Sequence, residues 1–388
     1  MKGLYRYLSP FSPDQSGAVA VLYELGGIIV ILDAGGCAGN ICGFDEPRWG
    51  HKQSAVYSAG IRDLDAILGR DERTIDKVGG AVEAVGNANF IALIGTPVPA
   101  VVGTDLKALA RMCEKKFGLP TLAIETYGME YYDKGAELTY MTLIKALENG
   151  TFDSVFEAQG LPKPSEFCKK LRDEPPERDW FDVHAVGVLG ATPLDLLGLD
   201  GAERQRERIS DVYTGANVKT FGMDGGLFDL LTLFTADRHV VIAPSGLKAA
   251  RYLETHYGIP FEAEYRIGDE ILTGIYRAIT DIMLPSEANV LVLHQQMVGN
   301  NIREILPCQT TVGTFFELDP ELAEPQDRKF TGEDEFLDFV KNGNFNVILG
   351  DPMYQMALKW WKGLFLPLPQ YSVSGEAHEA LKEEELFS

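Results

Sequence analysis

Short runs of β-branched residues alternate along this chain with longer segments in which apolar positions recur every three or four residues. GIIVIL (Gly27 to Leu32), FIALIG (Phe90 to Gly95) and LPTLAIET (Leu119 to Thr126) look like buried strands. Between the last two, DLKALARMCEKKFG has helical spacing and stops at Gly118, which predicts a βαβ unit.

The same alternation returns twice. After KPSEFCKKLRDEPPERD, whose charges and paired prolines read as a linker, VHAVGVLG and HVVIAP predict strands and GLKAARYLETHYG a helix stopped by Gly258 and Pro260. Beyond Ser286, NVLVLH and FNVILG predict strands around the helical GEDEFLDFVKNG. The expectation is an α/β protein with parallel sheets: a first domain over 1–150, a linker over 151–182, a second domain over 183–285, and a third domain with a C-terminal tail over 286–388.

A length of 388 residues exceeds what one core usually organises, in keeping with several domains. Charge narrows the partners. With 57 acidic against 35 basic residues and a net charge of -22, the chain lacks the basic excess that displaces counterions from nucleic acid or binds an anionic membrane. The opening MKGLYRYLSPFSPDQSG meets prolines before any continuous apolar run and does not read as a secretory signal. GAVAVLYELGGIIVIL carries Glu24 and is too short for a spanning helix, so a cytoplasmic protein is expected.

Much familiar machinery is missing from the sequence. It contains no G-x-x-x-x-G-K-[ST] loop, no complete G-x-G-x-x-G, no G-x-S-x-G and no H-E-x-x-H, and its six histidines are scattered singly. His294, at the end of NVLVLH, has the address of a ligand-binding residue, although a strand-end histidine bonded to a carbonyl is the commoner case. Of five cysteines, Cys113 falls in a helical pattern, Cys168 in the linker and Cys308 in ILPCQTT. Cys37 and Cys42 share the glycine-rich LDAGGCAGNICG just past the first strand, where doubly wound folds bind ligands. C-x4-C also occurs among plant-type iron–sulfur ligands. Spacing leaves open whether this pair is structural or a metal- and cofactor-binding pair.

Several stretches together resemble the component 1 family of nitrogenase, which includes the MoFe protein subunits, the cofactor-assembly scaffold, dark-operative protochlorophyllide reductase and the reductive cyclase of methanogens. LDAGGCAGN resembles the family's strand followed by a histidine-glycine-x-x-glycine-cysteine turn, with Asp33 in the histidine's place. AVYSAGIRDLDAILGRDERTIDKV and IALIGTPVPAVVGTDLKALARMCEKKFGLPTLAIETYGM resemble the segments that follow, and NVILGDPMYQMALKWWKGLFLPLPQYSVSG the closing element.

The resemblance implies three Rossmann-like domains in a nitrogenase-like iron–sulfur oxidoreductase subunit. Such a subunit pairs with a second component 1-like chain, as homodimer or heterodimer. It takes electrons from an ATP-dependent reductase of the iron-protein type at an interface cluster, and passes them to a small-molecule substrate. Of the family's three cluster cysteines only Cys37 has a counterpart; the others fall near Phe11 or Ser12 and near Thr96 or Pro97. A 4Fe–4S cluster held by Cys37 and Cys42 of two chains is one expectation. A heterodimer whose other chain supplies most ligands, helped by Asp33 or a serine, is the other. The family's cofactor anchors map near Ile242 or Ala243 and near Tyr371, so dinitrogen is not the expected substrate. A non-catalytic scaffold for a metal cluster or cofactor, and a cluster-free binding module, stand as alternatives.

Overall fold

The computed structural model describes residues 5–62, 64–65, 69, 71–176, 183–375 and 386. Helix α1 (Asp14–Leu22) leads into β1 (Ile28–Ile31), α2 (Gly36–Asn40), β2 (Val56–Ser58), α3 (Asp71–Val85), β3 (Ile91–Ile94), α4 (Pro97–Val102), α5 (Leu106–Phe117) and β4 (Thr121–Ile124). The four strands form a parallel sheet in the order β2-β1-β3-β4. Strand periodicity divides β1 between two cores: Ile29 and Ile31 face a core shared with the second sheet, while Ile28 and Val30 face one closed by Ile75, Val78, Leu109 and Cys113.

Next comes the long helix α6 (Tyr132–Glu148). The segment 151–182, expected as a linker, carries two helices within its described part, α7 (Asp153–Ala158) and α8 (Pro164–Asp173). Pro164 stands in the first helical turn, where its missing N–H costs nothing, and Cys168 is buried while the charges face outward. The paired prolines lie beyond this helix and do not interrupt it.

The second sheet has β5 (Ala185–Leu189), β6 (Asn217–Thr220), β7 (Arg238–Val241) and β8 (Phe261–Ala263) in the order β6-β5-β7-β8, with α9 (Gly201–Val212), α10 (Thr232–Thr235) and α11 (Leu247–Tyr257) in its connections. Helix α12 (Asp269–Thr280) leads to the third sheet. That sheet has β9 (Asn289–Leu293), β10 (Gln309–Thr314), β11 (Arg328–Lys329), β12 (Val347–Gly350) and β13 (Leu364–Pro367) in the order β11-β10-β9-β12-β13, with α13 (Gln296–Ile305) and α14 (Glu333–Asn342). Every paired strand in the three sheets is parallel. Among the described residues no helix is long and apolar enough to cross a membrane.

Helix α1 is buried at all nine positions and lies against α6 at the junction of the sheets. From α6, the Tyr140 hydroxyl donates to the Phe221 carbonyl of the second unit at 2.6 Å. Arg48 ties the same units: its guanidinium meets Glu46 through two 2.7 Å bonds, Glu24 at 3.2 Å, and the carbonyls of Ala20 and Gly222 at 2.8 and 2.9 Å, above the Tyr23 ring. On the other side, Phe11 packs against Tyr131, Phe315, Phe316 and Tyr354, an aromatic core shared with the third unit. The Ser12 amide donates to the Ser372 carbonyl at 2.9 Å.

Candidate functional site

Beyond β1 the chain enters helix rather than the open turn its glycines predict. Gly35 takes a φ of 116°, where a side chain would be strained, and α2 begins at once. Asp33 starts it: one carboxylate oxygen accepts from the Ala38 amide at 2.8 Å and the other from the Ser58 hydroxyl at 2.6 Å. Asp33 is buried, with both carboxylate oxygens engaged in these bonds. A π-helical turn over Ile41–Asp45 continues α2.

Cys37 sits in α2 and Cys42 in the π turn, both half-buried and neither in a disulfide. Their neighbours differ. Cys37 lies beside Thr96 and Asp33, whereas Cys42 lies near Glu46 and Tyr23. Burial, reinforced by Asp33, pushes the Cys37 thiol up, and burial with Glu46 pushes Cys42 up to about 11. Each thiol lies beside a carboxylate that opposes its thiolate form, Asp33 for Cys37 and Glu46 for Cys42. Among the described residues no three His, Cys, Asp or Glu are grouped to hold a metal ion.

The positions matching the family's other cluster cysteines have structural work. Phe11 is the hub of the aromatic core, and Ser12 donates to Asp45 at 3.0 Å. Thr96 donates to the Leu32 carbonyl at 2.8 Å and caps α4 by accepting from the Val98 amide. Thr96 beside Cys37 is a proximity the sequence resemblance implied and periodicity alone did not. Cys113 and Cys168 are buried in helices, Cys168 no longer in a linker.

At the centre, Ile242, Ala243 and Tyr371 are buried. His294 is also buried, with Nε2 3.2 Å from the Pro369 carbonyl oxygen and Nδ1 accepting from the Gln295 amide at 2.9 Å, and burial lowers it to about 4. It is a neutral structural histidine. Sequence reasoning missed Asp195, wholly buried where the units meet, which accepts from Tyr132 at 2.9 Å, Thr192 at 2.6 Å and Ser245 at 3.2 Å. Burial, with the charge of Asp133 adding to it, pushes Asp195 up to about 7. Its donors come from three separate segments, and no local motif announces them.

No family model matches this chain. It is 21% identical over 280 residues to the nitrogenase iron-molybdenum cofactor biosynthesis protein NifE of Klebsiella pneumoniae. That alignment takes in 68% of this chain and 55% of NifE, so the chain spans about half the length of the curated relative it matches. Nitrogenase Cp1 at pH 6.5 superposes with a TM-score of 0.63 at 12% identity, over 95% of this chain and 87% of that one. Nitrogenase Cp1 at pH 5 superposes with a TM-score of 0.62 at 15% identity, over 100% and 88%. The resemblance drawn from the sequence is borne out in the fold: three parallel sheets in a nitrogenase component 1-like arrangement.

Proposed function

We propose that this chain, with its nitrogenase component 1-like fold, is one member of a two-chain assembly that holds a metal–sulfur cofactor for delivery to another protein. The observation that carries this reading is the match to a cofactor biosynthesis protein over two thirds of the chain. Cys37 would be its contribution to an iron–sulfur cluster at the interface, with most ligands from the partner and none from Cys42. Such a cluster, when bound, supplies one-electron chemistry. The chain's own residues would set the geometry: Asp33 fixes the start of α2, and Thr96 flanks the Cys37 side chain.

The test is anaerobic co-purification with the partner chain, followed by iron and sulfide assay. C37A should lose iron and C42A should keep it; C37A with unchanged iron would overturn the ligand assignment. The loaded complex should pass its cofactor to an acceptor and form no product when given ATP, a reductase and candidate substrates.

The fold shared with nitrogenase Cp1 supports a second reading, an oxidoreductase subunit fed by an ATP-dependent iron-protein-type reductase and acting on a small-molecule substrate. ATP-dependent product formation would select it.

A further inference from the structure

Where the N-terminal segment crosses the end of the first sheet, a cleft of about 490 Å³ opens between Tyr5, Phe44, Tyr131, Asn40, Asp45 and Glu130. We propose that this cleft is a binding site for an organic cation, an alkylammonium or guanidinium group. The reading is independent of any cluster, since neither cysteine takes part.

Its aromatic walls are set in advance. The Tyr5 and Tyr131 hydroxyls are 2.9 Å apart, and Tyr131 packs edge-on against Phe11 and Phe316, so these rings need little reordering to receive a ligand. Ring faces attract cations, and attract them more strongly when a carboxylate stands nearby in a partly desolvated slot.

The carboxylates are in place and lack a counter-charge. Asp45 is buried and accepts from Ser12, Ser16 and Asn40 at 3.0, 2.6 and 2.7 Å, which leaves one of its roughly four lone-pair directions open. Glu130 is exposed and accepts from the Tyr127 hydroxyl at 3.2 Å. Among the described residues neither acid has a basic partner. The basic residues nearest in the chain are spent elsewhere: Arg6 on Glu333 and Asp334, Arg48 on Glu24 and Glu46, and Lys134 on Glu137 and Glu317.

The open acceptor direction on Asp45 and the unneutralised charge of both carboxylates call for a donor-rich, positively charged group. An anion is opposed by the charge, and the rings favour an organic cation over a hydrated metal ion.

The cation has two possible sources with one chemistry: a free small molecule, or a lysine or arginine side chain of the partner chain. The probe is agmatine, titrated calorimetrically into the metal-free, full-length protein, with neutral butylurea as control. Saturable 1:1 binding is expected, weakened at least threefold in E130Q, whose exposed side chain leaves folding intact, and lost in D45N. Agmatine that also separates the two-chain complex assigns the site to a partner side chain; agmatine that binds and leaves the complex whole assigns it to a free cation. The proposal is overturned if agmatine does not saturate the protein, if butylurea binds equally, or if E130Q binds as tightly as the parent.

Discussion

A Cβ atom placed on Gly17 would stand 1.8 Å from the Tyr132 carbonyl oxygen, and one on Gly135 would stand 1.7 Å from the carbonyl oxygen of Asp14. Helices α1 and α6 thus meet backbone to backbone through a reciprocal pair of glycines. Neither neighbour is a flexible side-chain tip, so the helices must part to admit a methyl group. Gly17→Ala or Gly135→Ala should cost about 3 kcal/mol, at the upper end for overpacking, read as a lowered denaturation midpoint at unchanged slope. A midpoint equal to the parent's would show that the helices can separate freely.

Arg48 holds two buried carboxylates and two carbonyls from both sides of the first interface. Replacing it with Met leaves Glu46 without a cation and Glu24 with Lys52 alone, and should cost about 3 kcal/mol. Lys, a point charge without the planar fork, should recover only a minor part. Chemical denaturation of the two variants beside the parent measures both effects.

Stability should fall as pH rises toward 8. Burial lifts Asp195 to about 7 and Asp133 to about 6, so the native state keeps protons that an unfolded carboxyl releases near pH 4. Their stabilisation is full below that point and is lost as pH climbs through 6 and 7. His294, lowered to about 4, acts in the opposite sense between about pH 4 and 6.5, where only the unfolded state takes its proton. Above about 6.5 the carboxyls act alone. The denaturation midpoint should decline from pH 6.5 to 8, and Asp195→Asn should flatten that decline; an unchanged slope would mean Asp195 ionises as an ordinary carboxyl.

Thiol labelling separates the cysteines without reference to any cofactor. With Cys42 pushed up to about 11, its reaction with iodoacetamide at pH 7.5 should be roughly a hundredfold slower than that of a free thiol and rise about tenfold per pH unit. Cys113 and Cys168, buried and pushed up to about 11 and about 12, should label only on unfolding. Mass spectrometry of timed samples gives the order, and rapid labelling of Cys42 at neutral pH would refute its electronegative setting.

The central strands were legible because their residues are buried on both faces: GIIVIL, FIALIG and NVLVLH contain β1, β3 and β9 within a residue or two of each end. The shortest edge strands were not. Val56–Ser58 and Phe261–Ala263 are three residues long, too short for a period to register. Helix α1 hid for the opposite reason, since burial on every side erases the polar face by which a helix is recognised. At the mouth of the first sheet, sequence spacing pairs Cys37 with Cys42, and the fold gives each thiol its own carboxylate neighbour, Asp33 and Glu46. The cleft beside them draws Tyr5, Asp45 and Glu130 from three distant stretches, a convergence only the tertiary fold creates.

The bond from the Ser12 amide to the Ser372 carbonyl joins the two ends of the described chain. Phe11, Ser12 and α1 leave the ribosome long before residues 371–374, which complete the surroundings of Phe11 and Ala20. Until then the apolar end of α1 lacks part of its cover. The N-terminal segment is therefore finished by the C-terminal one, and removing residues 371–374 should loosen α1.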